Sequence, residues 1–193
     1  MVRHFTQLKC QMMPYLYRQA ALAREYGTPM LRAMMLEFPD DPACDYLDRQ
    51  YMLGESVMVA PVFSEAGDVQ FYLPEGRWTH LWHNNEIEGS RLHKQQHDFR
   101  SLPVYVRDNT LLALGNNQQK PDYAWNEGIA FQLFNLGDGA MAVSEVPAAD
   151  GSVAFTLKAT RSGDTVTITG TGDARNWSVC LRNVQKLSGV KGG

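Results

Sequence analysis

The chain has 193 residues, enough for one large domain or two small ones at ~100 to 200 residues each. Its 18 basic and 21 acidic residues leave a net charge of −3, which argues against the basic face of a nucleic-acid binder. Apolar residues make up 44% and charged residues 20%, with Gly (16) and Pro (9) near globular usage, so disorder, collagen and coiled coil are disfavoured too.

No apolar run approaches the ~18 residues of a membrane span; Val57 to Phe63 is the longest. Near the N-terminus Gln7, Lys9 and Gln11 interrupt any secretory-signal core. Cys10, Cys44 and Cys180 are odd in number and widely spaced, which reads as reduced thiols in a cytoplasmic protein.

From Phe5 to Tyr26 apolar side chains recur at Phe5, Leu8, Met12, Leu16, Ala20 and Ala23, the three- and four-residue spacing of an amphipathic helix. Pro14 lacks the N–H that the ladder needs and predicts a kink or a split. Gly27 and Pro29 end the helix. A second, short helix is predicted over Ala43 to Gln50, with Asp41 as cap and Pro42 in its first turn. Neither offers the long helix a surface to bury its stripe against, so that stripe is expected to face atoms outside this chain.

Strands are predicted over Met30–Phe38, Ser56–Phe63, Val69–Leu73, Trp78–Trp82, Val104–Val106 and Thr110–Leu114, the last two joined by a hairpin-like turn at Asp108-Asn109. A polar stretch from Asn116 to Asp122 suggests a domain boundary. Beyond it Ile129–Leu136, Ala140–Val146, Ser152–Thr160, Thr165–Thr171 and Trp177–Val184 form five strand candidates between Gly- and Asp-containing turns. The one-sided apolar pattern of Val153, Phe155 and Leu157 against Val166 and Ile168 suits a small β-sandwich, and the chain ends at Gly189 to Gly193 without a closing strand. The fold class is mainly β: two small antiparallel β-sandwich domains preceded by one long helix.

Chemistry-bearing constellations are sparse. His80 and His83 lie three apart, His93 and His97 four apart, but no Cys pair lies near, and solvated strand and loop histidines explain them better than a metal. Asp40, Asp41, Asp45 and Asp48 suit a helix N-terminus rather than a catalytic acid pair, which needs two carboxylates held ~5 to 9 Å apart in a pocket. Glu127, beside Trp125 and Asn126, has no partner acid. Ser56 and Ser64 lack a nucleophile elbow, and glycine-rich phosphate loops are absent. Tyr72, Trp78, Trp82 and Tyr105 are either sheet core or a sugar-stacking platform. No catalytic, cofactor-binding or metal-ligating residue is assigned, and no cofactor.

Five segments together resemble glycoside hydrolase family 31, the α-glucosidase and α-xylosidase family. They are MMPYLYRQA (Met12 to Ala20), GTPMLRAMMLEFPDD (Gly27 to Asp41), YMLGESVMVAPV (Tyr51 to Val62), YLPEGRWTHLW (Tyr72 to Trp82) and LPVYVRDNTLLAL (Leu102 to Leu114). The wording is similar to the bacterial α-xylosidase branch. The resemblance implies that residues 1–27 are the last helix of a (β/α)8 barrel, 28–117 a proximal C-terminal β domain and 118–193 a distal one. It implies a C-terminal fragment of a retaining α-glycosidase whose two catalytic aspartates lie on the barrel upstream. Arg32 and the ESVMVAPV strand would then serve packing. The expected partners are that barrel and the N-terminal domain, with the α-glycoside bound only by the whole enzyme and no nucleic acid or membrane.

The alternative is a non-catalytic carbohydrate-binding β module, for which the four aromatics should share an open face. Four to six large side chains left bare on the helix, at roughly 1.5 to 3 kcal/mol each, also predict aggregation, self-association through the stripe or a frayed N-terminus.

Overall fold

The structure is a computed structural model that describes residues 2–191. Met1, where the first expected unit begins, and Gly192 and Gly193, where the last ends, lie outside the described residues. Pro14 splits the N-terminal helix as its missing N–H requires: α1 (Val2–Gln11) and α2 (Met13–Tyr26) meet at Met12. Gly27 stops α2 at φ 75, returning its N–H to Ala23, a left-handed cap that a Cβ would strain.

The strands are β1 (Leu31–Arg32), β2 (Tyr51–Leu53), β3 (Val57–Val59), β4 (Asp68–Leu73), β5 (Arg77–His80), β6 (Glu86–Glu88), β7 (Arg91–Gln96), β8 (Val104–Arg107) and β9 (Thr110–Leu114). Then follow β10 (Ala130–Phe134), β11 (Met141–Pro147), β12 (Val153–Ser162), β13 (Thr165–Gly172) and β14 (Ser178–Leu181). They form a six-stranded sheet in the order β1-β2-β3-β8-β5-β6, two three-stranded sheets, β14-β10-β9 and β11-β12-β13, and a β4-β7 pair.

Three apolar cores separate these layers. Met34, Met52, Met58, Phe71, Leu73, Trp78 and Tyr105 fill the space between the six-stranded sheet and the β4-β7 layer. On its other face Val57, Val59, Val104 and Val106 meet Met12 and Tyr15 of the helices, Leu112 of β9 and Phe134 of β10. The sandwich between the two three-stranded sheets closes over Leu111, Ile129, Phe131, Val146, Phe155 and Leu157.

Several expectations are corrected. Met30–Phe38 is not a strand: after β1 the segment turns into the one-turn helix α3 (Met34–Glu37), whose Met34 is buried while Met35 and Leu36 point outward. Asp41 does cap, accepting the Ala43 N–H at 3.0 Å, but the helix behind it is only a 3₁₀ turn, Pro42–Cys44. The strand expected over Ser56–Phe63 shrinks to β3. β8 and β9 are not a hairpin: Asn109, at φ 55, carries the chain out of the six-stranded sheet and β9 pairs with β10. β14 runs parallel to β10, returning after β11 to β13, so one pairing of the distal unit departs from the antiparallel pattern.

The largest correction concerns the helix. Its stripe is covered within this chain: Met12 is 4% exposed, Leu8 and Leu16 pack into the same core, and Phe5, Ala20 and Ala23 are half-buried. Polar ties add to this, with Gly115 N–H donating to Gln11 O at 2.7 Å, Tyr123 Oη to Cys10 O at 2.7 Å and Arg18 Nε to Glu145 at 2.7 Å. Self-association through the stripe therefore has no bare surface to act through.

Candidate functional site

The densest polar constellation joins α2 to the edge of the six-stranded sheet. Arg32, 7% exposed, donates from Nη1 to Glu37 at 2.6 Å, from Nη2 to Gln19 Oε1 at 3.1 Å and from Nε to Pro29 O at 3.1 Å. Glu37 meets a second guanidinium, Arg107, at 3.2 Å. Tyr15 Oη donates to Leu53 O at 2.7 Å and accepts the Ser56 N–H at 3.2 Å, and burial pushes its phenol well above its ordinary pKa. Glu37 spends its carboxylate on two guanidiniums, so this network fixes geometry; it brings together no second acid.

The sequence's acids are dispersed. Asp41 is engaged as a cap and as acceptor of the Tyr72 hydroxyl at 2.9 Å; burial and that bond push the Tyr72 phenol up to about 12. Asp40, Asp45 and Asp48 are exposed. Asp48 and Asp68 do line one open groove of about 380 Å³, beside Arg49, Tyr46 and Phe63. Both are solvent-exposed, whereas a general acid depends on an apolar pocket that keeps its proton on. Glu127 is exposed, and its backbone bridges to Arg175.

The histidines correct the solvated reading in part. His80 is 2% exposed and stacks on His83 with ring centroids 4.4 Å apart. Its Nδ1 accepts the N–H groups of Trp82 and His83, both at 3.3 Å, while Nε2 is buried without a hydrogen-bond partner among the described residues. Burial, with smaller contributions from His83 and His97, pushes its pKa down to about 4. His93 accompanies Phe71, and His97 bridges Ser101 and Gln95 at 3.1 and 2.9 Å. Among the described residues no three His, Cys, Asp or Glu side chains are gathered to hold a metal. Cys44 is buried and pushed up to about 11, chiefly by desolvation, the opposite of a reactive thiolate.

The aromatic platform fails on exposure. Trp78 and Tyr105 are 1% and 0% exposed, and Tyr72 lies half-buried on the β4-β7 layer. Trp82 packs against His4 and Phe5 of α1, yet its ring borders a second groove, of about 360 Å³, with Gln7, Gln11, Gln118, Gln132 and Arg182. Sequence reasoning passed over these glutamines, since single amides on a helix, a loop and a strand carry no motif.

Residues 27–112 match the pattern described as the glycosyl hydrolase family 31 C-terminal domain, and residues 124–193 that of the α-xylosidase YicI C-terminal domain. The chain is 32% identical over 191 residues to the α-xylosidase XylQ of Lactiplantibacillus pentosus, covering 95% of itself and 25% of that protein. It is 36% identical over 129 residues to an α-xylosidase of Emericella nidulans, covering 63% of itself and 16% of that protein. The same fold occurs in the family 31 α-xylosidase of Xanthomonas citri, with a TM-score of 0.76 at 21% identity over 93% of this chain and 21% of that one. A Flavobacterium johnsoniae dextranase of family 31 gives 0.74 at 24% identity over 84% and 21%. The chain thus spans a quarter or less of the length of these relatives. Its two matched segments follow one another in a single polypeptide, and by them the chain belongs to glycoside hydrolase family 31, carrying that family's C-terminal β region.

Proposed function

We infer that this chain is the β-domain brace of a retaining family 31 α-glycosidase, of the α-xylosidase kind, whose hydrolytic aspartates lie on a (β/α)8 barrel in the longer protein. The observation that carries the reading is coverage: nearly the whole chain aligns with only a quarter of XylQ. The sequence resemblance supports residues 1–27 as the barrel's closing helix, 28–117 as the proximal β domain and 118–193 as the distal one. β9 and Leu112 then stitch the proximal unit to the distal sandwich, while Tyr26, Leu31, Met35 and Leu36 remain exposed beside the end of α2. The setting is the cytoplasm, consistent with three unpaired cysteines.

Retaining hydrolysis needs one carboxylate to attack the anomeric carbon and another to protonate the leaving oxygen. Neither role has a buried, paired acid among the described residues. The purified chain is therefore expected to release no nitrophenol from p-nitrophenyl α-D-xyloside above the uncatalysed rate, and activity is expected when it is co-expressed with the barrel and N-terminal part of a family 31 α-xylosidase. Turnover by the chain alone would sink the reading.

A further inference from the structure

The groove beside Trp82 is lined by polar groups that packing does not explain. Gln7 and Gln11 lie four apart on one face of α1, Gln118 comes from the polar stretch after β9, and Gln132 projects from the central strand of its sheet. Among the described residues the side-chain amides of Gln7, Gln11 and Gln118 make no hydrogen bond. Gln132 commits only its oxygen, accepting from Arg182 Nη1 at 3.1 Å, so its NH₂ group remains free. Four carboxamides from three separate segments thus converge on a space of about 360 Å³, at the small end of the ~300 to 1,000 Å³ usual for ligand sites.

The lining also says what the ligand is not. No carboxylate borders the groove, so no negative charge there selects a cation. Its guanidinium, that of Arg182, gives one N–H each to Asn84 Oδ1 at 2.7 Å, Leu81 O at 2.9 Å and Gln132 Oε1 at 3.1 Å and lies 5.2 Å from the Phe134 ring centre, so three of its five N–H groups are committed; the other two and the His4 ring are what an anion could use, which the succinate titration tests. A carboxamide offers a donor and an acceptor together, which matches a hydroxyl, itself both donor and acceptor. An indole with Leu8 and Leu81 supplies the apolar wall that a ring's C–H face needs.

The geometry points to a binding site for a short neutral saccharide in this groove, held by Gln7, Gln11, Gln118 and Gln132 against Trp82. Every group it uses lies in this chain, so it does not rest on the barrel assignment. The test is a titration of the intact chain with xylose, glucose and the disaccharide α-xylosyl-(1→6)-glucose, followed by ¹H–¹⁵N NMR. Saturable shifts of the Trp82 indole N–H and of the glutamine side-chain amides are expected. Gln11→Leu should weaken the affinity about tenfold, as loss of one ligand hydrogen bond in a small site does. Gln118→Ala, on an exposed loop where folding is not at stake, should also weaken it. Absence of saturation with all three sugars, equal shifts with succinate or putrescine, or affinities untouched by both substitutions would each overturn the site.

Discussion

At His80 the imidazole is held neutral by its surroundings rather than by a partner. Two backbone N–H groups point at Nδ1, which places the proton on Nε2, and a second proton would add charge beside His83 and His97 in a site that is 2% exposed. With the folded pKa near 4 against an ordinary value of 6.5, protons bind the unfolded chain first. Stability is therefore full above pH 6.5 and falls as pH drops toward 4, at about 1.4 kcal/mol per unit, or about 2 kcal/mol by pH 5. His93 and His97 are also pushed down by burial and add in the same direction. Urea unfolding at pH 7 and pH 5 should show this loss, and His80→Asn, which keeps an acceptor near Nδ1, should flatten it. An unchanged pH slope in that variant would show that the burial of His80 does not govern the acid response. Little of this was legible in the sequence: the His80 to His83 spacing drew attention, but a strand-end histidine reads as solvated until β8 and the β4-β7 layer close over it.

Elements were legible where local chemistry decides them. Pro14 and Gly27 mark the helix break and its end because each acts through its own backbone, and β11, β12 and β13 follow from strict alternation between turns. Segments decided by distant partners were not. β7 (RLHKQQ) is nearly all polar, with four of its six residues exposed, so it carries no hydrophobic signal and pairs because β4 offers an edge. Met30–Phe38 is an apolar run too short for periodicity to separate helix from strand. There the outcome is set by Glu37, which α3 brings back between Arg32 and Arg107. With the Arg32 and Glu37 side chains 9% and 13% exposed, Glu37→Gln removes the carboxylate shared by Arg32 and Arg107 and leaves Arg32 buried without its counter-charge. A loss of about 3 kcal/mol is expected, since breaking a buried pair from one side costs ~3 to 5 kcal/mol. Chemical denaturation measures it; a change below 1 kcal/mol would place the arginine's stabilisation in its bonds to Gln19 and Pro29 instead.

Across the whole molecule the layers are not separable at the polar stretch where composition changes. β9 precedes Asn116 to Asp122 in sequence but hydrogen-bonds along its length to β10, which follows it. Its two faces enter different cores: Leu111 and Ala113 the distal sandwich, Leu112 the layer beneath the helices. Composition locates a polar connection, yet only the three-dimensional pairing reveals that one strand belongs to both sides, and the same long-range packing hides the helix stripe that appeared bare in the sequence. A chain cut after Asn117 loses β10, β14 and Phe134 together. It exposes Leu111, Leu112 and Ala113, leaves β9 an open edge, and strips α2 of its contacts with β11. Large apolar side chains lose roughly 1.5 to 3 kcal/mol each on such exposure, and the few affected here match a small domain's whole net stability of ~5 to 15 kcal/mol. Residues 1–117 alone are thus expected to give a poorly dispersed ¹H–¹⁵N spectrum and to aggregate through the β9 edge, whereas the intact chain gives a dispersed one. A well-dispersed, monomeric 1–117 fragment would show that the β9 pairing is dispensable and that the two β units fold independently.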